Sequence, residues 1–559
     1  MASLQRKKVH GNYYWYIVES RRVNGKPRPV VLAYLGKAED LLARLSGTSP
    51  FEISSKSHGA TQVFFDLAQA LNVPGIINRH IAARHNGKNL KRDGFTVGES
   101  LLFAALGRIC RPTSKLGWYE WCKDSSLEYL LKKNLKKLDS QHFWDQMHKV
   151  PVKAIPEIEL EILQALSAQW SLTTEELFFD TTNFFTFIDS ENRHCDMPKR
   201  GHNKQKRRDL RQVSLALVVT GKDHIPLFHH LYDGNKNDIT AFKENCPRVI
   251  ARLKALGCDF DKLTLIFDKG NNSKNNFEAI PENVHFVGSL SPAHFRSLIE
   301  DANKRMEKIK LDNKEFSAFK TVHPVWGKTY TCVVFISEEL FSGQLQGIFQ
   351  ALEKATKQLD ALQQKLQKPR HRYTKERLQE TVDTIIDHQY LKHIIKVEVV
   401  SQNDKLSLRY FVDIAEFEHL KQNSLGRQIL VTTRNSWTAE EIIRCYQRKT
   451  KIEYAFRCLK DKNHLSLRPQ FHWTDQKIVV HAFICVLAFL LATAAYARAR
   501  KEIGYSQDLS RFLDDLGRIR LASIIQRPQS RPGRPKVIQK LELPRDELTS
   551  LISAFNIHA

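Results

Sequence analysis

Residues 478–497 read IVVHAFICVLAFLLATAAYA, a run without a charged side chain in which His481 is the one strongly polar member. About twenty apolar residues suffice to cross a bilayer, and a helix that is hydrophobic all round must be enclosed by lipid or by protein. No second run of this kind occurs, and this one directly follows a cationic segment. A chain of 559 residues can bury a large core. The run is therefore expected to be a buried core helix, with no membrane partner.

The cationic segment, residues 444–462, reads RCYQRKTKIEYAFRCLKDK. Ile452, Ala455, Phe456 and Leu459 recur at helical spacing and form a stripe that can face a core. Tyr446, Lys449, Glu453 and Lys460 follow at steps of three, four and seven residues, which puts them on one face of a continuous helix. Glu453 is the only acid between Arg444 and Lys460, among Arg448, Lys449, Lys451 and Arg457. A lone carboxylate among cations is either an ion-paired surface residue or a metal ligand beside an anionic substrate.

Two further acids sit in apolar strands. Residues 177–188, LFFDTTNFFTFI, are β-prone and enclose Asp180. A carboxylate inside such a strand is costly unless it is paired, protonated or metal-bound. Residues 262–272, KLTLIFDKGNN, form a strand that ends in Asp268. Ligands of open α/β sheets lie outside the carboxyl ends of strands; a turn or helix N-cap is the alternative for that Asp.

An Asp in a first strand, an Asp after a later strand and a Glu on a late helix resemble the DDE transposases of bacterial insertion sequences. The helix is similar to their Tyr-Arg-Glu-Lys signature, Y-(2)-R-(3)-E-(6)-K. Tyr446, Glu453 and Lys460 match it in identity and spacing, while Lys449 stands at the Arg position with Arg448 one residue earlier. The likeness runs over roughly residues 175–500. It implies that Asp180, Asp268 and Glu453 are catalytic and bind metal: Mg²⁺ or Mn²⁺, two ions, Asp180 shared between them. It implies that Tyr446, Arg448, Lys449, Arg457 and Lys460 hold DNA. The implied activity is cleavage at the terminal inverted repeats of a mobile element and strand transfer into target DNA, by a homodimer on double-stranded DNA. Another ribonuclease H-like nuclease, such as a resolvase, and a catalytically inactive DNA-binding remnant are the competing functions.

The expected fold is α/β: a ribonuclease H-like mixed sheet with a β-rich, helical-hairpin insertion, preceded by a basic β-hairpin and a helical domain. Residues 1–50 read as the hairpin, turning at Asn24-Gly25. Residues 51–170 read as helical, either a DNA-binding domain or a bundle packed on the catalytic core. Residues 171–290 form the first part of the core and 434–505 the second. Between them, residues 291–433 are an insertion, with Leu352, Leu359 and Leu366 at heptad spacing and Pro369 as the breaker. Residues 506–559 read as a basic tail containing QRPQSRPGRPKV. There Arg531 and Arg534 resemble the arms of an AT-hook, which enter a narrow minor groove.

Charge points the same way. Lys and Arg number 86 against 61 acids, a net charge of +25, which favours a polyanionic partner. The loop KRGHNKQKRRDLRQ adds Lys204, Arg207 and Arg208 to the expected DNA contacts. His202, His224, His229 and His230 read as packing or surface residues. Nine scattered Cys with no CxxC pair read as reduced thiols, and the N-terminus does not read as a signal peptide. The expected location is the bacterial cytoplasm, on the nucleoid. No phosphate-binding Gly-rich loop, HExxH or nucleophile elbow occurs, which argues against a nucleotide-driven motor, a zinc protease and a serine hydrolase.

Overall fold

The run QVSLALVVT is buried at every position in the computed structural model, which describes residues 2–23, 26–45, 51–189, 191–203, 205–268, 270, 272–312, 314–368, 373–402, 405–468, 470–526 and 536–559. A strand apolar on both faces must lie inside a sheet covered on both sides. It belongs to a nine-stranded mixed sheet. The strands of this sheet are β1 (Glu176–Phe185), β2 (Gln212–Thr220), β3 (Pro226–Asp233), β4 (Thr264–Ile266), β5 (His285–Leu290), β6 (Glu307–Leu311), β7 (Lys314–Val325), β8 (Lys328–Ile336) and β9 (Arg427–Thr432). Their spatial order is β6-β7-β8-β9-β5-β4-β1-β2-β3.

The strands β1, β2 and β3 form an antiparallel meander. Then β4 lies parallel to β1, and β5 parallel to β4. A parallel neighbour needs a crossover, and the helix α1 (Asp238–Ala255) supplies it between β3 and β4. Asn237 caps its start by accepting from the Thr240 N–H. Phe242 of α1 meets Phe179 of β1 with ring centroids 5.1 Å apart.

The insertion does not stand apart as a whole. Its strands β6, β7, β8 and β9 continue the central sheet, with β9 antiparallel to β5 and β8 antiparallel to β9. Left alone, β5 would expose a row of unpaired backbone groups, and β9 covers that edge. The remainder builds a core of its own. Helix α2 (Glu338–Leu366), the helix Lys375–Ile385 and the antiparallel pair Ile395–Gln402 and Lys405–Val412 meet around Ile348, Leu359, Leu378, Val382 and Leu408. Pro369 lies outside the described residues.

After β9 come the helices α3 (Ala439–Gln447), α4 (Thr450–Cys458) and α5 (Asp475–Ile503). The last is the one helix long and apolar enough to cross a membrane among the described residues, and 94% of its most apolar window is buried inside the protein. Phe483, Val486 and Leu487 share a small cavity with Ile162 and Leu163 of the helix Ile155–Gln169 and with Leu227 of β3. It is thus a core helix between helices and sheet.

The chain divides into two compact units: Met1–Val63, Cys122–Lys136 and Glu502–Ala559 in one, Phe64–Trp121 and Lys137–Lys501 in the other. The first unit corrects three expectations. Residues at the head of the expected helical stretch form the strand Phe51–Ser57, which pairs antiparallel with Arg520–Gln526. The expected tail is folded: the helix Leu509–Gly517 buries Phe512, Leu513 and Leu516, and Arg520–Gln526 pairs with Lys536–Leu541. Arg531 and Arg534 lie outside the described residues, between those two strands. In place of the expected hairpin, residues 2–36 form a three-stranded antiparallel sheet of Ala2–Val9, Asn12–Val23 and Lys26–Gly36. Its first turn is His10-Gly11, both at positive φ (43° and 81°), the geometry of a two-residue hairpin loop. The expected turn residues Asn24 and Gly25 lie outside the described residues.

Candidate active site

Alternation along β1 sorts its side chains into two rows. Phe179 and Thr181 face α1, where the Thr181 hydroxyl donates to Asp238 at 2.8 Å. Glu176, Phe178, Asp180, Thr182 and Phe184 form the opposite row. Segment 444–462 covers that row. Arg448 donates to Glu176 at 2.7 Å, and Lys460 donates to the Thr182 hydroxyl at 2.6 Å while lying 5.3 Å from the Phe184 ring centroid. Asp180 is therefore the middle member of a row whose two ends are tied to the cationic segment.

Asp268 follows the strand that lies parallel to β1. Phe178 of β1 is the partner of Ile266 of β4. Asp180 comes two residues further along β1, and Asp268 two residues past the end of β4; the charges of both act on the Tyr446 phenol. The ordinary fate of an Asp after a strand, capping a following helix, falls to Ser273 instead, whose side chain accepts from Asn276.

Tyr446 lies over this pair, 2% exposed. Its hydroxyl donates to Asp268 Oδ1 at 2.7 Å, and the Lys449 ammonium is 3.4 Å from Asp268 Oδ2 and 3.4 Å from the Tyr446 oxygen. Burial pushes the Tyr446 phenol far above its usual range, and the charges of Asp268 and Asp180 add to the rise. The group therefore stays a neutral donor. Arg448 is held above its ordinary value chiefly by its hydrogen bond to Glu176.

The continuous helix expected over 444–462 is broken. Helix α3 ends at Gln447 and α4 begins at Thr450. Across the join, Lys449, Lys451 and Ile452 donate to carbonyls three residues back rather than four. The reason lies in what each helix covers: α3 packs on β5 and β9, α4 on β1 and β2. The sheet twists between those strands, and one straight helix cannot follow both.

Glu453 sits on α4, exposed, beside the buried Ile452 and four residues after Lys449. Among the described residues no three His, Cys, Asp or Glu side chains stand close enough together to hold a metal ion. The structure thus unites Asp180, Asp268, Tyr446 and Lys449, and does not gather Glu453 with both Asp carboxylates. Arg457 is exposed, with its guanidinium 4.9 Å from the Tyr454 ring centroid. In the basic loop Arg207 is engaged in an ion pair with Asp209 at 2.6 Å, Arg208 is exposed, and Lys204 lies outside the described residues. Sequence reasoning missed Glu176 and Thr182 as anchors for Arg448 and Lys460. Their signal was the period of two that puts both on the row of Asp180.

The donor set fits a hard divalent cation. Asp180 and Asp268 offer only oxygen, and an ammonium already stands against Asp268 where positive charge is favoured.

The transposase DDE domain family matches residues 185–491, a span that includes Asp268, Tyr446, Glu453 and Lys460 and begins after Asp180. Among solved structures, the chain is similar to the cryo-EM structure of the piggyBac transposase synaptic complex with hairpin DNA, at 9% identity and a TM-score of 0.39, over 83% of this chain and 82% of that one. No curated protein matches the chain.

Proposed function

The chain belongs to the transposase DDE domain family, and from that premise we propose that it binds the ends of a mobile DNA element, cuts them and joins them to target DNA. The observation that carries this reading is the convergence of Asp180, on β1, and Asp268, two residues past the end of the parallel β4, on Tyr446, with Lys449 against Asp268. The meander followed by two parallel strands supports a ribonuclease H-like core. The spacing of Tyr446, Glu453 and Lys460 supports the insertion-sequence group with the Tyr-Arg-Glu-Lys signature.

In this reading Asp180 and Asp268 would hold Mg²⁺ or Mn²⁺, and Glu453 would complete the set. Bound divalent ions supply a nucleophile at neutral pH and charge stabilisation at the leaving oxygen. The chain's own side chains orient the parts. Tyr446 fixes the rotamer of Asp268, and Lys449 offsets charge between carboxylate and phosphate. Lys460, anchored on Thr182, and Arg448, anchored on Glu176, present cations to the DNA backbone on both sides of Asp180. The net charge of +25 supports duplex DNA as the partner. Helices within residues 51–170 are proposed to contribute to end binding, and a homodimer to bring two ends together in the bacterial cytoplasm.

The exposed position of Glu453 favours one competing reading, a DNA-binding remnant whose metal site no longer works. A single experiment separates them. The protein is incubated with DNA bearing the repeats that flank its gene, with and without Mg²⁺, alongside Asp180→Asn and Asp268→Asn. Metal-dependent cuts at the repeat ends, lost in both variants while end binding persists, support the transposase. Binding without any cleavage supports the remnant. Cleavage retained in both variants overturns the site.

A further inference from the structure

Three aromatic rings stand in solvent beyond the carboxyl end of β1. Phe187 is 50% exposed, Phe471 54% and Trp473 51%. Phe187 and Phe471 are paired with centroids 5.9 Å apart, and the Trp473 ring meets His194 edge-on at 5.6 Å. The backbone that carries them is tied down by hydrogen bonds. The Phe187 N–H donates to the Gln470 carbonyl at 3.0 Å, the Asn192 amide donates to the Trp473 carbonyl at 3.0 Å, and the Asp196 and Met197 N–H groups both donate to the Asp475 carboxylate at 3.0 Å. The patch is a fixed surface rather than a collapsed loop.

Its surroundings indicate the occupant. The segment 189–211, which follows Phe187 in the sequence, carries eight Lys and Arg against four acids. Along β1, cations lead back from the patch toward the site: the Arg468 guanidinium lies 5.7 Å from the Phe185 ring centroid, and Lys460 is bound to Thr182, two residues from Asp180. Phe187 is seven residues from Asp180, at most about 23 Å at strand rise, or up to about seven nucleotides along one strand of B-DNA. Flat apolar faces bordered by cations match one ligand chemistry well: unpaired nucleobases on a phosphate backbone.

We propose that Phe187, Phe471 and Trp473 form a stacking platform for unpaired bases of a DNA strand near the site of cleavage, an assignment that rests on the proposed function. The platform takes bases by their π-faces, so it is tolerant of sequence and requires local opening of a duplex. Joined to Asp180 by the Lys460 and Arg468 track, it holds the strand after the helix has parted.

The test uses the full chain and two probes, oligothymidylate and a blunt duplex of the same length, with binding read by fluorescence anisotropy. Phe471→Ala with Trp473→Ala is expected to weaken oligothymidylate binding by about five- to a hundredfold and to change duplex binding less than twofold. Trp473→Phe is expected to retain most of the affinity, because it keeps a ring, whereas Trp473→Leu loses it despite its apolar bulk. Matching melting temperatures show that all variants are folded. Oligothymidylate affinity untouched by the alanines overturns the platform alone, as does a change confined to self-association measured by light scattering. Equal losses on both probes also overturn it, since they report general electrostatics. If the wild-type chain binds neither probe, the platform and the proposed function fail together. If it binds both but cleaves nothing, only the transposition chemistry fails.

Discussion

Removing one oxygen from Tyr446 separates a positioning role from a metal-binding one. Tyr446→Phe keeps the ring that α3 buries at 2% exposure and deletes the hydroxyl that donates to Asp268 at 2.7 Å. A hydrogen bond to a charged group contributes about 1.5–3 kcal/mol. The Asp268 side chain is 42% exposed, so water replaces part of the loss, and a destabilisation of about 1 kcal/mol is expected, or about 1 °C of Tm in a unit of this size. Lys449 remains against the other carboxylate oxygen, so Asp268 keeps that partner. The freed rotamer should cost about tenfold in cleavage rate, the equivalent of about 1.4 kcal/mol. Raising Mg²⁺ should recover most of that loss, because the carboxylate itself is intact. Asp268→Asn should lose roughly a thousandfold or more, as expected when a metal role worth several kcal/mol disappears, and added Mg²⁺ should not recover it. Calorimetry and a cleavage time course across Mg²⁺ concentrations measure both effects. A Tyr446→Phe protein with unchanged Tm and rate would refute the role of this bond; one as inactive as Asp268→Asn, and equally indifferent to Mg²⁺, would mean that the hydroxyl acts on the reacting groups directly.

Other perturbations probe the remaining claims. Glu453→Gln is expected to bind DNA ends as tightly as wild type or more so and to lose roughly a thousandfold in cleavage; near-normal cleavage would remove Glu453 from the site. Duplex affinity should fall steeply with salt, as counterions return to each phosphate, and a flat plot of log K against log salt would argue against a DNA partner. Replacing both Arg531 and Arg534 with Ala should weaken binding most on A·T-rich duplexes, whereas equal losses on G·C-rich DNA would indicate charge alone. Burial, with help from Lys451 and Arg500, holds the folded His224 at about 4, below its ordinary 6.5. The unfolded state then binds the extra proton, so stability is full above the ordinary value and falls as acid is added, by roughly 2 kcal/mol between about pH 7 and pH 5. Urea melts of wild type and His224→Gln should show the shallower pH dependence in the variant, and identical slopes would refute the assignment.

Much of the fold was legible because its signals are local. The uncharged run of 478–497 could only be a core or membrane helix, and the strands carrying Asp180 and preceding Asp268 show in β-prone apolar runs that are read residue by residue. Their order along the chain, three strands, a helix and two more strands, is also a property of the sequence. The period of two places Glu176, Asp180 and Thr182 on one row before any partner is known. What those rows touch is a different matter. The break at Arg448 and Lys449 follows from the twist of the sheet beneath, which the helical periodicity of 444–462 does not register. The insertion's strands join the central sheet because β5 has an open edge, and an edge exists only once five strands are assembled. Phe51–Ser57 becomes a strand through Arg520–Gln526, a partner more than 460 residues away. Propensity and periodicity act over a few residues, so the chain by itself determined the elements and their exposed chemistry. Pairing and burial join positions remote in sequence, and so only the tertiary structure decided that Tyr446 and Lys449 close over Asp268 while Glu453 remains at the surface.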